Sequence, residues 1–297
     1  MSTGAPRAAD FDSAGTTCAA WHVPASGAVG SSGTWVVMAH GFSLTRHDGL
    51  LDYAHVFAEA GADVLVFDHR FLGDSGGTPR QRVRLKEQRA DWAAAVAHAR
   101  SLGAERVVLW GFSMSGAHVV QTAIADPTID GVLAMAPFIN GFRRVLAAPM
   151  RANMRIVARA IPAALGSKVT IPVTAQPGSL GAMALTGEAD GFAAVVPAGS
   201  PWRNEVSPAL FVSVPVHRPY RRTKRLTCPA WFGLGERDIT VHAPSIVAAA
   251  DRAPRGELVR YPEHDHWTPF VGDAGTRIAE DQLAFLHQSG LLPSRRV

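Results

Sequence analysis

Cysteine is scarce. The 297 residues hold two, Cys18 and Cys228, far apart and in no metal-ligating spacing. The expectation is a pair of reduced, buried thiols rather than a disulfide framework or a zinc site. Lysine is limited to Lys86, Lys168 and Lys224, so arginine supplies nearly all of the positive charge. That charge, a formal net +4, is scattered along the chain. With no basic stripe interleaved with aromatics, nothing here reads as a nucleic-acid surface. No apolar run approaches the ~20 residues of a membrane span. The first ten residues, Met1 to Asp10, lack the apolar segment of a signal peptide, which leads to the expectation of a cytoplasmic protein.

What is present is core-forming material. Apolar residues make up 47% and charged residues 18% of the chain, enough to bury a substantial core and too apolar for disorder. Short apolar runs, with β-branched residues in Val107–Trp110, alternate with helical patterns. The strands expected are Thr34–His40, Asp63–Asp68, Val107–Trp110, Gly131–Ala136, Cys228–Leu234 and Glu257–Tyr261. Helices fall between them, over Leu50–Ala60, Arg82–Leu102, Ala117–Ala125, Ala243–Arg252 and Ala274–His287. That rhythm predicts a doubly wound, mostly parallel sheet of about eight strands with crossover helices. Phe11 to Pro24 reads as an antiparallel edge hairpin, and Ala25 to Gly33 as a loop.

The alternation breaks from Phe138 to about Arg225. Phe142 to Leu165 reads as an amphipathic helix or helix pair, with Arg143, Arg144, Arg151, Arg155 and Arg159 on a solvated face. Met150, Met154, Ile156 and Val157 lie opposite, and Pro and Gly are frequent from Thr170 to Val216. We read 1–137 and 227–297 as an α/β core and 138–226 as a cap insertion. A surface insertion with no part in binding is the alternative.

Chemistry concentrates at the carboxyl ends of the strands, where ligands of such sheets bind. Val107 to Trp110 runs into Gly111-Phe112-Ser113-Met114-Ser115-Gly116 and then into a helix. Strand, small-x-Ser-x-small, helix is the nucleophile elbow, with Ser115 where the motif usually has glycine. A plain helix cap at Ser113 is the alternative. Another strand ends in His40-Gly41-Phe42, so the Phe42 N–H, with the Met114 N–H, is a candidate oxyanion donor. An ordinary turn is the alternative there. Asp238 follows one late strand and His266 follows the last. The order Ser113, Asp238, His266 is that of one triad fold and not of others. His264, two residues away, competes with His266 for the histidine role. Asp265 and Asp190 compete with Asp238. In the loop 68–77, hydrogen bonds that shape the loop and an ion pair to Arg70 are favoured over a metal site at Asp68, His69 and Asp74.

On these motifs the chain resembles an α/β-hydrolase-fold serine hydrolase, in the dienelactone-hydrolase-like or acyl-peptidase-like branch with a helical cap. Asp68 to Ser75 is similar to that superfamily's Asp-x-Arg-Gly-x-Gly-x-Ser loop, with Phe71 at a usual glycine. His266 to Gly272 is similar to its terminal histidine segment. The resemblance implies Ser113, Asp238 and His266 as catalytic residues, no cofactor, and a small-molecule acyl substrate. An ester, thioester or lactone is the default. Amide cleavage and acyl transfer use the same triad, and the fold also hosts binding proteins without catalysis. An apolar acyl pocket is expected from Phe138, Phe142, Met150, Met154 and Trp202, with His40 and Trp267 nearby. A homodimer is left open.

Overall fold

The computed structural model describes residues 5–26 and 30–293. The ends of the chain and part of the 25–33 loop lie outside the described residues. At the start come β1 (Arg7–Ala8), β2 (Phe11–Ser13), β3 (Thr16–Cys18) and β4 (Ala20–Val23). β2 and β3 form a separate antiparallel pair. The expected hairpin is therefore shorter than Phe11–Pro24, and β4 instead joins the main sheet.

Next follow β5 (Thr34–Ala39), α1 (Leu50–Glu59), β6 (Asp63–Phe67), α2 (Leu85–Ser101), β7 (Arg106–Phe112), α3 (Met114–Ala125) and β8 (Gly131–Met135). The eight-stranded sheet has the order β1-β4-β6-β5-β7-β8-β9-β10. Here β9 is Ala230–Gly235 and β10 is Gly256–Tyr261. β1 and β4 are antiparallel, and β6 to β10 with β5 are parallel. Strands buried on both faces read as continuous apolar runs, as β5 and β7 do.

Helices cover both faces. Trp92 and Ala95 of α2, Val119 of α3 and Ile246 of α7 (Ala243–Arg252) pack on one side. Tyr53 and Phe57 of α1 and Ile278 and Leu286 of α8 (Ala274–Gln288) pack on the other. Each of the larger aliphatic and aromatic side chains among these, fully buried, stabilises the fold by about 1.5–3 kcal/mol. The central strands are thereby held rigid, which fixes the positions of their carboxyl ends.

Between β8 and β9 the chain builds α4 (Gly141–Ala147), α5 (Met150–Ala164), α6 (Glu188–Val195) and three short 3-10 turns between Pro208 and Arg225. A separate apolar cluster forms here. It joins Ile156, Met183, Phe192 and Leu210 to Phe42 of the loop after β5 and Met114 at the start of α3. Both cysteines are buried and unpaired. No helix among the described residues is long and apolar enough to cross a membrane.

The loop after β6 corrects one expectation. Arg70 does not pair with Asp68. Its Nε donates to Asp91 of α2 at 2.5 Å. Arg46 is the partner instead, with its guanidinium on both Asp68 and Asp74. His47, Asp68 and Asp74 lie close enough to share an ion, but Arg46 already supplies the positive charge at both carboxylates. Phe71 has φ +71°, the left-handed backbone that glycine favours. The loop therefore keeps its shape despite the larger residue, whose buried ring lies 4.0 Å beneath the Arg82 guanidinium.

Candidate active site

Ser113 joins β7 to α3 with φ +53° and ψ −112°. A non-glycine residue holds such a conformation only where its surroundings over-determine it. They do so here. A Cβ at Gly111 would overlap the Ser115 carbonyl, so the turn closes only on glycine. Ser113 N–H donates to Met135 O at 2.9 Å, and Phe138 N–H donates to Ser113 O at 2.7 Å. The hydroxyl is thereby turned out of the sheet toward the last loop.

That loop brings the partner. His266 Nε2 lies 3.0 Å from Ser113 Oγ. His266 Nδ1 lies 2.6 Å from Asp238 Oδ2. The other carboxylate oxygen, Asp238 Oδ1, accepts Thr240 N–H at 2.8 Å and Val241 N–H at 3.1 Å. Three donors thus fix the carboxylate's plane. Asp265 is not the acid partner. It accepts the backbone N–H groups of Trp267 and Thr268, shaping the turn that carries His266. Asp190 sits on α6. His264 stacks on Tyr261 at 4.9 Å, away from Ser113.

The loop after β5 lies against the elbow. A Cβ at Gly41 would come within 3.0 Å of Ser113 Cβ, so glycine permits this approach. His40 does not line the cavity at Ser113. Its Nδ1 accepts the Gly41 N–H at 2.8 Å and its Nε2 donates to Asp48 O at 2.8 Å. Burial holds its pKa down to about 4. Ser115 adds a second tie. Its hydroxyl donates to His40 O at 2.6 Å. His69 Nε2 lies 3.3 Å from the same hydroxyl oxygen. The serine at a usual glycine position therefore fastens the elbow to the neighbouring loop. Neither Phe42 N–H nor Met114 N–H finds an acceptor among the described residues.

A narrow cavity opens at Ser113. Phe138, Met183, Leu210, Phe211 and Val214 line it, with Arg144 and Thr240. Of the expected pocket residues, Phe138 is in its wall and the others are not. Met150 and Met154 are 77% and 66% exposed, because α5 turns Ile156, Ala160 and Ala163 inward instead. Phe142 lies under the Arg218 guanidinium at 4.3 Å. Trp202 packs on Phe192, with ring centres 5.5 Å apart. Trp267 also packs on Phe192, at 4.5 Å. Arg144 leaves its expected solvated face. Its Nη2 donates to both carboxylate oxygens of buried Glu188 at 2.9 Å. Its Nη1 is buried with no partner. The lining from Ala182 to Val214 lies in a stretch without periodicity, so no pattern in the sequence singles it out.

A nucleophile elbow, an aligned histidine and a carboxylate at the carboxyl edge of a parallel sheet define an α/β-hydrolase-fold serine hydrolase. The chain belongs to the family described as serine aminopeptidase, S33 (Hydrolase_4), which matches residues 31–184. It is 33% identical to the quorum-quenching protein AidA of Acinetobacter baumannii (strain MDR-ZJ06) over 290 residues, 95% of this chain and 94% of that one. It is 35% identical to thiohydrolase aneE of Aspergillus aculeatus over 113 residues, 37% of this chain and 36% of that one. The solved structure of the alpha/beta hydrolase GrgF from Penicillium sp. sh18 has a TM-score of 0.81 at 22% identity, over 96% of this chain and 98% of that one. That structural likeness concerns the fold.

Proposed function

We propose that the chain hydrolyses a carboxylic ester, thioester or lactone through an acyl-enzyme on Ser113. The observation that carries this reading is the unbroken line Asp238–His266–Ser113, with spacings of 2.6 and 3.0 Å. Ser113 Oγ attacks the carbonyl carbon as its proton passes to His266 Nε2. The oxyanion forms beside the unpaired Phe42 and Met114 N–H groups. Two such preset donors stabilise charge that appears only in the transition state, each by about 3–4 kcal/mol. His266 returns the proton to the leaving group, and the C–O or C–S bond breaks. Water, deprotonated by His266, then cleaves the acyl-enzyme and regenerates the Ser113 hydroxyl.

Residues 138–226 act in this reading as a cap that supplies most of the acyl cavity's walls. The cavity holds about 50 Å³, small beside the roughly 300–1,000 Å³ of drug-sized pockets. It suits a compact acyl group. The Arg144 Nη1 group, without a partner among the described residues, beside the apolar side chains of the wall suits an oxygen on that group, because a buried donor without an acceptor costs about 1–3 kcal/mol. The partial likeness to a thiohydrolase lends support to the thioester arm.

Two measurements test the reading. A fluorophosphonate probe is expected to add its mass to Ser113, and Ser113→Ala is expected to abolish both labelling and hydrolysis. Folded protein that stays unlabelled would turn the reading toward a non-catalytic binder. Arg144→Met is expected to raise KM roughly tenfold for a 3-oxobutanoyl ester and to leave the plain butanoyl ester near its starting value. An equal effect on both esters would remove Arg144 from substrate recognition.

A further inference from the structure

Helix α5 has two apolar faces, and the protein uses only one. Ile156, Ala160 and Ala163 pack inward. Met150, Met154, Val157, Ile161 and, just past the helix, Leu165 point outward, with exposures of 77%, 66%, 49%, 53% and 84%. Steps of three and four residues place these five side chains in one stripe along the helix. Exposed apolar side chains occur singly on most surfaces, whereas a contiguous run marks a binding face.

The charge around the stripe indicates what would cover it. From Gly141 to Lys168 there is no acidic residue, against Arg143, Arg144, Arg151, Arg155, Arg159 and Lys168. Arg144 turns inward to Glu188. Arg151, Arg155 and Arg159 recur every four residues and have no carboxylate partner among the described residues. Arg155 and Arg159 make side-chain bonds only to backbone carbonyls. Beyond the end of α5 the positive surface continues. A groove bounded by Ala164, Val212 and Val216 is lined by Arg84, Lys86, Arg89, Arg218, Arg221 and Arg222, with no acid in its wall. A second copy fits this face poorly, because packing α5 on itself would set these unpaired arginines against their own copies.

We propose that α5 is a docking surface for an anionic lipid bilayer. The stripe would enter the boundary between headgroups and acyl chains, and the flanking arginines would meet lipid phosphates. At 15 residues α5 is too short to span a bilayer, so it lies in the plane of the surface. The inference stands on this surface alone and is independent of the chemistry at Ser113.

The test is flotation of the full Ser113→Ala protein with phosphatidylcholine vesicles, with and without phosphatidylglycerol. Using this variant keeps a failure to bind separate from a failure of the hydrolase reading. The protein is expected to float with the anionic vesicles, less so as salt rises, and to stay behind with the neutral ones. Met154→Gln with Ile161→Gln is expected to lower partitioning by roughly tenfold or more. Arg155→Glu with Arg159→Glu is expected to remove the preference for anionic lipid. Unchanged circular dichroism melts would show that both pairs of variants fold. The proposal is overturned if anionic vesicles fail to carry the protein, or if the glutamine pair floats as well as the parent. It is also overturned if light scattering finds a dimer that the glutamine pair converts to monomer, which would assign the face to a second copy.

Discussion

Asp238→Asn is expected to lower kcat for a neutral ester by about four orders of magnitude, with KM little changed. The size follows from which way the new amide must point. Asp238 Oδ1 accepts two backbone N–H groups, from Thr240 and Val241. In the variant only the amide oxygen can meet them, so the NH2 group takes the place of Oδ2, opposite His266 Nδ1. That nitrogen becomes an acceptor, and the ring hydrogen moves to Nε2. An Nε2 that already carries hydrogen cannot take the proton of Ser113. The substitution is nearly isosteric and leaves every backbone bond in place, so the melting temperature should stay close to the parent's. Stopped assays over a pH series with folded variant check this. A loss of less than about tenfold would remove Asp238 from the proton path and reopen the choice of acid.

The elements that hold these groups were the legible part of the sequence. Each core strand is a short, largely apolar run closed by glycine or a polar turn, and Ser113, Asp238 and His266 each follow such a run. Their order along the chain is a local, one-dimensional signal, and it survives without knowledge of the fold. The illegible parts depend on distance or direction. Arg46 rather than Arg70 meets Asp68 because two loops far apart in sequence come together, which no local pattern encodes. The direction α5 faces is not legible, since Met150–Met154 and Ile156–Ala160 are two apolar stripes of equal spacing on one helix. Periodicity identifies both and cannot say which is buried. The inward turn of Arg144 is hidden in the sequence because its carboxylate partner, Glu188, lies across an irregular stretch. The motif accounts for Ser115 only as a small residue, whereas its hydroxyl makes a specific bond to His40.

Lowering the pH from 7 toward 4 is expected to unfold the protein through its buried histidines, before most carboxylates titrate. Burial pushes His40 from an ordinary 6.5 down to about 4, against a smaller upward pull from Asp48. Burial does the same to His217, with Arg89 adding to the effect, and brings it to about 4. His118, fully enclosed beside His69 and His217, is held well below its ordinary value. Below pH 6.5 the unfolded chain gains protons at these rings that the folded chain cannot accept. Stability therefore falls as pH falls, and it keeps falling until the folded-state values near 4 are reached. Over that window His40 and His217 each account for a loss on the order of 3 kcal/mol. Together with His118 this approaches the ~5–15 kcal/mol that most domains possess. Asp63 and Asp91 act in a lower window. Burial alone would raise them, but their hydrogen bonds to His22 and His69 hold both below the usual carboxylate range. Their stabilisation is lost only below about pH 4. Urea midpoints should be flat from pH 8 to 7 and then drop steeply below about 6.5. His217→Gln, which cannot take up the proton, should make that drop shallower. A midpoint unchanged from pH 7 to 5 would contradict the assignment. The consequence reaches the active site, because protonating His40 Nδ1 removes the acceptor of the Gly41 N–H. Acid should then cost activity through unfolding that is set by rings that never touch substrate.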